Sequence, residues 1–331
     1  MLVERHAVRR LFTSIMAVSL AVVCSLSQAV TVDDLYEVTL PIKTTRDAAF
    51  EEALNAVAVR VSGRRDAPAR LGSATKNARR YVQRFSMTSD NQLQVAFDAG
   101  SIERLLGEVG LPIWGRERPL TLVLLSVPSA TGPLWIEAGY PAAERELIAN
   151  VARERGVPIV WPTLDPRDRA TLAGSISASQ SLELAMRHGA NAVLVGQAHR
   201  DGTGQLVVRW SVTAEEASAE ANGGLEDGVH LAADTLGRLF SASAGALARV
   251  SIEVSGIENL HDYAATMSYL EGMTLVRSVS LEQVSGNTMR FQLAVRGDAT
   301  TLRRALTLDD KLVPIADAGI ASDRLHLRLQ R

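Results

Sequence analysis

In the stretch that follows residue 29, the spacing of apolar residues predicts two strands and two helices. Residues 36–42 and 93–97 alternate between apolar and polar positions, as half-buried strands do. Residues 50–61 and 102–109 repeat their apolar side chains at helical spacing, and a glycine follows each stretch to end the helix. The pattern indicates a small α+β unit with a basic loop between its first helix and its second strand.

The middle of the chain has the pattern of a buried sheet covered by helices. Residues 120–127 and 192–196 are continuous apolar runs, which are typical of strands buried on both faces. Asp201-Gly202-Thr203-Gly204 favours a hairpin into a further strand at 205–212. Because helical patterns alternate with the strands, we expect a mixed sheet with mostly parallel pairing. The small, acidic and glycine-rich residues 214–224 are predicted to form a solvated loop.

The last part of the chain predicts a β-α-β-β-α-β order. Asn259 and Asp298 are placed to cap its two helices, since each precedes an apolar helical pattern. Residues 311–315 are predicted to close the unit as its fourth strand, and the alternating residues 325–329 form an optional extra strand. This order is typical of a ferredoxin-like domain.

The predicted fold class is α+β or α/β, with three small domains after a leader. The parts are a signal peptide at 1–29, a small α+β domain at 30–118, an α/β mixed-sheet domain at 119–248 and a ferredoxin-like α+β domain at 249–331.

The leader has the three parts of a secretory signal. Arg5, Arg9 and Arg10 precede an apolar stretch at 11–26, and Ser27-Gln28-Ala29 offers small residues at the positions that a signal peptidase reads. We therefore expect cleavage near Ala29 and a periplasmic protein of the bacterial cell envelope. An uncleaved membrane anchor is the alternative, although the apolar stretch is short for a full span.

Cysteine chemistry depends on the same leader, because the only cysteine is Cys24. Loss of the leader removes the one thiol, which excludes disulfides, thiolate catalysis and cysteine metal sites from the mature chain. Lipidation of Cys24 stays open as an alternative. The bulky Val23 stands where a small residue normally precedes a lipidated cysteine.

Charge and motif searches narrow the function classes. The formal net charge of -2 gives no electrostatic reason to expect nucleic-acid binding, which needs phosphate neutralisation. The sequence has no Walker A loop, no His-Glu-x-x-His and no Gly-x-Ser-x-Gly motif, and its histidines lack ligand spacing. We expect no metal and no cofactor, and a binding protein rather than an enzyme.

One motif supports an enzymatic alternative. Ser73-Ala74-Thr75-Lys76 matches the Ser-x-x-Lys pattern of periplasmic serine enzymes, in which helical spacing brings the lysine amine to the serine hydroxyl. The Ser-Asp-Asn and Lys-Thr-Gly partner motifs are absent. Ser73 and Lys76 are therefore catalytic candidates for a hydrolase, with chance occurrence as the simpler explanation.

Two further sets of residues are candidates for binding. A basic cluster that includes Arg64, Arg65, Arg79 and Arg80 can contact an acidic partner or a phospholipid head group, or it can be an ordinary solvated surface. Three tryptophans lie near predicted strand ends, where they can line a groove for a small ligand or fill the core. They are Trp114, Trp161 and Trp210.

Several strings of residues resemble an uncharacterised family of exported proteobacterial proteins, catalogued as domain of unknown function number two thousand and sixty-six. The resemblance covers most of the chain after the leader and implies an envelope protein, but it supplies no catalytic residues. The strings are Phe97-Asp98, Ile102, Leu105-Leu106, Gly110-Leu111-Pro112-Ile113-Trp114-Gly115, Arg118-Pro119, His188-Gly189-Ala190-Asn191-Ala192-Val193-Leu194-Val195-Gly196 and Arg209-Trp210.

The sequence thus favours an exported, non-catalytic binding or assembly protein that contacts other envelope proteins through sheet edges or grooves. The alternatives are a periplasmic serine hydrolase that uses Ser73 and Lys76, and a small-ligand carrier with a pocket near Trp161 and Trp210. Membrane association is expected only through an uncleaved leader or the basic cluster.

Overall fold

The computed structural model describes residues 30–130, 132–141, 143–174, 176–243, 245, 247–315 and 324–330. The predicted signal peptide, with Cys24 and the expected cleavage site at Ala29, lies outside these residues. The described helices are α1 (Arg46–Ser62), α2 (Ala67–Leu71), α3 (Ala99–Glu108), α4 (Ala143–Arg155), α5 (Pro166–Leu172), α6 (Ala178–Arg187), α7 (Leu225–Phe240), α8 (Leu260–Gly272) and α9 (Ala299–Leu306), with a 3₁₀ helix at Gly72–Tyr81.

Strands form several mixed and antiparallel sheets, so the fold is a mixed α/β architecture of the α+β kind. The described strands are β1 (Val30–Thr31), β2 (Glu37–Pro41), β3 (Val82–Met87), β4 (Gln92–Phe97), β5 (Pro112–Ile113), β6 (Glu117–Arg118), β7 (Thr121–Ser129), β8 (Gly132–Trp135), β9 (Ile159–Val160), β10 (Ala192–Arg200), β11 (Leu206–Ala214), β12 (Ala217–Gly223), β13 (Ala242–Ser243), β14 (Leu247–Ser255), β15 (Val276–Ser285), β16 (Thr288–Arg296), β17 (Leu312–Pro314) and β18 (Arg324–Leu329).

The first unit packs one long helix on a three-stranded antiparallel sheet of order β2-β4-β3. Helix α1 begins after Thr45, whose hydroxyl accepts from the amide of Ala48, and it ends at Gly63 in the left-handed conformation. The buried face of α1 meets the inward side chains of β2 and β4 to form one core. Each fully buried Leu or Phe of that core contributes about 1.5–3 kcal/mol.

The middle unit is a six-stranded sheet in which β12-β11-β10-β7-β8 lie in order and β9 pairs with β7. Helices α4 and α7 contribute buried apolar residues to the core on one face, and α5 and α6 contribute to the core on the other. The sheet is mixed as expected. The prediction of mostly parallel pairing is wrong, because among the described strand pairs of this sheet only β7–β10 and β7–β9 are parallel.

The predicted loop at 214–224 is also corrected by the structure. Strand β12 occupies most of it and pairs antiparallel with β11 over seven residues. The side chains of β12 alternate only between partly buried and exposed, because the strand lies at the edge of the sheet and its side chains are small or acidic. The hairpin between β10 and β11 is where the sequence placed it, with the amide of Gly204 donating to the carbonyl of Asp201 at 3.0 Å.

The third unit contains the expected β-α-β-β-α-β succession, but its sheet order is β15-β16-β14-β18-β17. In a ferredoxin-like domain the fourth strand lies next to the first. Here the C-terminal strand β18 takes that place, parallel to β14, and β17 is displaced to the edge. The strand predicted as optional is therefore part of the sheet interior, and the ferredoxin-like sheet order is not formed.

Two short ladders lie at the junction of the units, each over two residues. Strand β1 pairs with β6 inside the first unit, and β5 pairs with β13 of the middle unit. The loop that carries Trp114 lies between these ladders. The domain boundaries at 118 and 248 remain predictions. Hydrogen bonds cross both of them, since β5 pairs with β13 and the amide of Arg116 donates to the hydroxyl of Thr274 at 3.1 Å.

Candidate functional site

Ser73 and Lys76 lie on the 3₁₀ helix Gly72–Tyr81, and both side chains are exposed. No hydrogen bond joins the Ser73 hydroxyl to the Lys76 amine in the described part of the chain, where the nearest hydroxyl contact on this helix runs from Thr75 to the carbonyl of Gly72 at 3.0 Å. The geometry that a lysine base requires is therefore not formed here. Catalysis by this pair stays a prediction without geometric support.

The three tryptophans lie in different surroundings. Trp114 and Trp210 are fully buried, and the Trp210 indole donates to the carbonyl of Gly224 at 2.8 Å. Both rings therefore fill the core and cannot meet a surface ligand unless the fold opens. Trp161 is partly exposed, and the Arg145 guanidinium lies 5.7 Å from its ring centroid. Of the three, only Trp161 is available for direct ligand contact.

The predicted basic cluster separates into engaged and unengaged cations. Arg64 pairs with Asp66 at 2.8 Å, and Arg65 pairs with Asp234 at 2.9 Å. Three more basic residues of the cluster are also engaged by protein groups. Arg60 is buried against backbone carbonyls, Arg70 donates to the carbonyl of Val109, and Arg84 pairs with Glu37.

Three cations of the cluster are unengaged in the part of the chain that the structure describes, and one of them, Arg79, lies beside Phe85 on the edge strand β3. Lys76, Arg79 and Arg80 are exposed, and none of them has an ion-pair partner within the described residues. Arg80 lies 5.1 Å from the ring centroid of Tyr81. Arg46, at the start of α1, is also exposed and adds a fourth cation that sequence reasoning did not include.

An exposed apolar rim lies beside Arg46 and Arg79. Phe85 and Met87 on β3 are 42% and 43% exposed. The Phe85 ring meets the buried Phe50 edge-on, with centroids 5.3 Å apart. The guanidinium groups of Arg46 and Arg79 lie 6.0 Å and 5.9 Å from the centroid of Phe85. We call these four residues, Phe85, Met87, Arg46 and Arg79, the arginine–aromatic rim.

Sequence reasoning missed the rim because a register shift between Val82 and Arg84 breaks the alternation of β3. Val82, Phe85 and Met87 pair with inward residues of β4, so they share the core side of the sheet. Their spacing in the sequence is three and then two, which matches neither a regular strand nor a helix. The cue that remains is an exposed Phe and Met inside a basic segment.

A second unexpected feature is the guanidinium of Arg118, which is fully buried at the junction of the units. It lies 3.9 Å from the ring centroid of Trp114 and donates to the carbonyl of Trp114 at 3.0 Å. Its other acceptors are backbone carbonyls from the ends of α1 and α4 and from the preceding loop. They are Arg60 at 2.8 Å, Gly115 at 2.9 Å, Gly156 at 2.7 Å and Arg155 at 3.3 Å.

Burial and the nearby Arg60 lower the pKa of Arg118 to about 9, so the group stays charged at neutral pH. Its partners are carbonyl dipoles rather than carboxylates. The arrangement gives no nucleophile, no general base and no open substrate position. Arg118 is therefore a structural connection between the first and middle units rather than a catalytic group.

Two charged clusters reinforce the junction. Arg155 donates to Asp234 at 2.7 Å, to the carbonyl of Gly63 at 3.0 Å and to Nδ1 of His230 at 2.8 Å. Burial, together with the charge of Arg155, lowers the pKa of His230. This cluster links the end of α1 to α4 and α7.

The other cluster links the first unit to the third. The Glu103 carboxylate accepts from Arg296 at 2.7 Å, from Arg277 at 3.0 Å and from the hydroxyl of Tyr36 at 2.9 Å. Burial and the neighbouring Glu103 raise the pKa of Tyr36. The hydroxyl therefore stays protonated and serves as a hydrogen-bond donor.

A cavity of about 700 Å³ lies between the middle and third units, with an apolar wall that includes Met186, Phe240 and Leu308. Arg303 and Arg304 reach Glu216 across its mouth. Within the described residues no three His, Cys, Asp or Glu side chains are close enough to share a metal ion. None of the helices in that part of the chain combines the length and apolar content of a membrane span.

Comparison with known proteins gives one family match. Residues 29–115 match the model of an uncharacterised domain, described as Domain of unknown function (DUF8605). The match includes the whole arginine–aromatic rim but covers less than half of the 331-residue chain. It is a different uncharacterised domain from the one that the sequence strings resemble, so the expected family number is corrected. No curated protein and no solved structure matches the chain.

Proposed function

We propose that this chain is an exported, non-catalytic binding protein of the bacterial cell envelope that docks an acidic, extended segment of another envelope protein. The docking site is the open edge of β3. The observation that carries the proposal is the arginine–aromatic rim, where exposed apolar side chains on an edge strand are framed by cations without carboxylate partners. The leader at 1–29 supports export on its sequence pattern.

Strand β3 offers the backbone geometry for an added strand. Its six residues pair with β4 along one side, and no described strand pairs with the other side. An edge of this kind presents amide and carbonyl groups that an extended peptide can satisfy. Main-chain hydrogen bonds then supply affinity, and side-chain pockets supply specificity.

The apolar side chains favour a protein partner that brings its own apolar residue. Phe85 and Met87 lie at the margin of the first core. The Phe85 ring meets the buried Phe50, Met87 pairs across the sheet with the buried Leu93, and both side chains are exposed to solvent. Covering the exposed parts of both side chains removes apolar surface from water, at about 25 cal/mol per Å². A cluster of cations alone would give no such gain.

The charges favour an acidic segment. Arg46 and Arg79 lie beside the strand without ion-pair partners in the described residues, whereas Arg84 on the outer face already has Glu37. Cations near an interface raise association rates for acidic partners and make binding sensitive to salt. A partner strand that alternates apolar and acidic residues matches both features of the rim.

The test places a photo-reactive amino acid at the exposed Gln83 on β3, and at the exposed Gln205 on the middle unit as a matched position. Cells that express the full chain are irradiated, and cross-linked envelope proteins are identified. The expected result is an adduct from position 83 alone. The cross-linked partner segment is then purified and titrated against the mature protein.

Binding of the purified segment should weaken at least tenfold with Phe85→Ser and with Arg46→Ser/Arg79→Ser, which corresponds to about 1.4 kcal/mol. Leu260→Ser is the control, because Leu260 is 79% exposed on the third unit. Equal binding by all three variants, adducts to lipid only, or a full-length chain with Met1 in the cytosol would each overturn the proposal.

A further inference from the structure

The sheet of the third unit has one covered face and one open face. Val250, Ile252 and Val254 of β14 point into the core beneath α8 and α9. Successive side chains of a strand alternate between faces, so the residues between them point the other way. No helix of the described residues packs on that second face, where the side chains of β14 are only partly buried.

Cross-strand pairing aligns the open-face side chains of β18, β14, β16 and β15 in three rows. Every member of these rows is polar or charged. The rows are Arg324–Ser251–Gln292–Ser280, His326–Glu253–Arg290–Gln283 and Arg328–Ser255–Thr288–Ser285. On these four strands the face has no apolar or aromatic member in three successive rows, and the edge strand β17 adds Val313 beside Arg328. A sheet face with such rows is suited to contact a hydrated polar ligand.

The charge of this face is positive. Glu253 is the one carboxylate of the rows, and it is held by Arg290 at 3.3 Å and by His326 at 3.8 Å. Arg328 is exposed and has no ion pair within the described part of the chain. Arg249, which precedes the first row on β14, is likewise exposed and without an ion pair there.

We propose that the open face of the third sheet binds an acidic polysaccharide. Arginine forks match carboxylate, sulfate and phosphate groups with two parallel hydrogen bonds. The serine hydroxyls and glutamine amides between them are donors and acceptors for sugar hydroxyls. A concavity of about 250 Å³ in the middle and last rows, lined by Glu253, Gln283, Ser285, Thr288 and Arg290, gives the polymer a place to anchor.

Other polyanions fit the face less well. Single-stranded nucleic acid is bound by proteins that stack bases on aromatic rings, and the rows contain none. A lipid surface is bound by apolar side chains that enter the interface, and the rows contain none of these either. This binding face lies on a different unit from the arginine–aromatic rim and does not depend on the function proposed there.

The test measures binding of the mature protein to fluorescent heparin and to polygalacturonate, with dextran as the neutral control. The variant Arg249→Ser/Arg324→Ser/Arg328→Ser should bind both acidic polymers at least tenfold more weakly. Its salt dependence should fall by about one unit of slope per arginine that contacts the polymer. Replacing the same three residues with lysine should restore part of the affinity, since charge is kept and the fork is lost.

The variant Arg104→Ser/Arg209→Ser, at exposed positions of α3 and β11, serves as the matched control and should bind both polymers as the unchanged protein does. Thermal unfolding of each variant shows whether it is folded. Several results would overturn the proposal. They are undiminished binding by the folded serine variant, no binding to either polymer at about 50 mM salt, or tighter binding to oligothymidine or anionic vesicles than to polysaccharide. If the rim variants did not weaken binding of the partner segment but the polymers still bound the third sheet, only the protein-docking function would be rejected.

Discussion

At the residue scale, the junction depends on side chains that hold backbone carbonyls rather than on apolar packing alone. Arg118 places all of its hydrogen bonds on carbonyl oxygens, and four of its acceptors belong to segments that end near the same point. Buried carbonyls without donors cost about 1–3 kcal/mol each. One guanidinium therefore supplies hydrogen-bond donors to backbone carbonyls of three segments that would otherwise lack a partner.

Replacing Arg118 with methionine keeps most of the side-chain length but removes every donor. We expect Arg118→Met to lower the free energy of unfolding by about 3–5 kcal/mol, because several buried carbonyls lose their partner at once. Urea denaturation followed by tryptophan fluorescence measures the loss. Arg104→Met, at an exposed position of α3, should stay within about 0.5 kcal/mol of the unchanged protein. A loss below about 1 kcal/mol at Arg118 would contradict the structural role.

The role of Arg118 could not be derived from the sequence. Its partners are main-chain atoms of residues from 3 to 58 positions away, and main-chain acceptors leave no mark in the sequence. The capping residues are different, because their partners are local. Asn259 and Asp298 accept from amides three residues on, as their positions predicted.

At the element scale, prediction succeeded where periodicity was regular and failed where small side chains or bulges altered it. The apolar runs of β7 and β10 identify them as buried strands. Strand β12 carries alanine, serine and glutamate, and strand β3 contains a register shift, so neither has an alternating apolar pattern. Edge strands often carry charged residues or bulges, which protect the unpaired edge from association and interrupt the apolar pattern.

The close packing of α7 on the middle sheet favours glycine at a helix position where alanine would normally be more stable. The Trp210 ring lies against Gly196 and Gly228, and a Cβ at either glycine would lie inside van der Waals contact with the indole. Gly228 is inside α7, where alanine normally stabilises a helix by about 1 kcal/mol. Here the added methyl forces the helix away from the sheet.

We therefore expect Gly228→Ala to destabilise the protein by about 1–3 kcal/mol, as overpacking does. In the background of Trp210→Leu, which opens space beside the helix, Gly228→Ala should be close to neutral or stabilising. Thermal unfolding of the two single variants and the double variant gives the coupling energy. Additive effects would show that the glycine and the indole do not constrain each other.

At the scale of the whole molecule, the arrangement of units is the part that the sequence predicted least. The insertion of β18 beside β14 and the contact of Glu103 with Arg296 join residues that are far apart in the chain. The ladders of the junction are two residues long, too short for a periodicity. Local patterns therefore indicate the units, and long-range polar contacts determine how the units are joined.

The junction of the first and middle units should respond to pH through His230. Its Nδ1 accepts from Arg155, which requires the neutral ring, and burial with the charges of Arg155 and Arg65 holds its pKa below the usual 6.5 despite Asp234 and Asp227. The unfolded chain then takes up a proton at a higher pH than the folded one. Stability is complete above about pH 6.5 and falls as the pH decreases through the window beneath it.

Replacing His230 with glutamine supplies an amide oxygen that accepts from Arg155 at any pH. The free energy of unfolding of His230→Gln should fall less steeply between pH 6.5 and pH 5 than that of the unchanged protein, because the proton uptake of unfolding is removed. Urea denaturation at several pH values measures both slopes. His261→Gln, at an exposed position of α8, should retain the steeper slope. If His230→Gln showed the same steep pH dependence of the free energy of unfolding, the proton that destabilises the junction would have to bind to another residue.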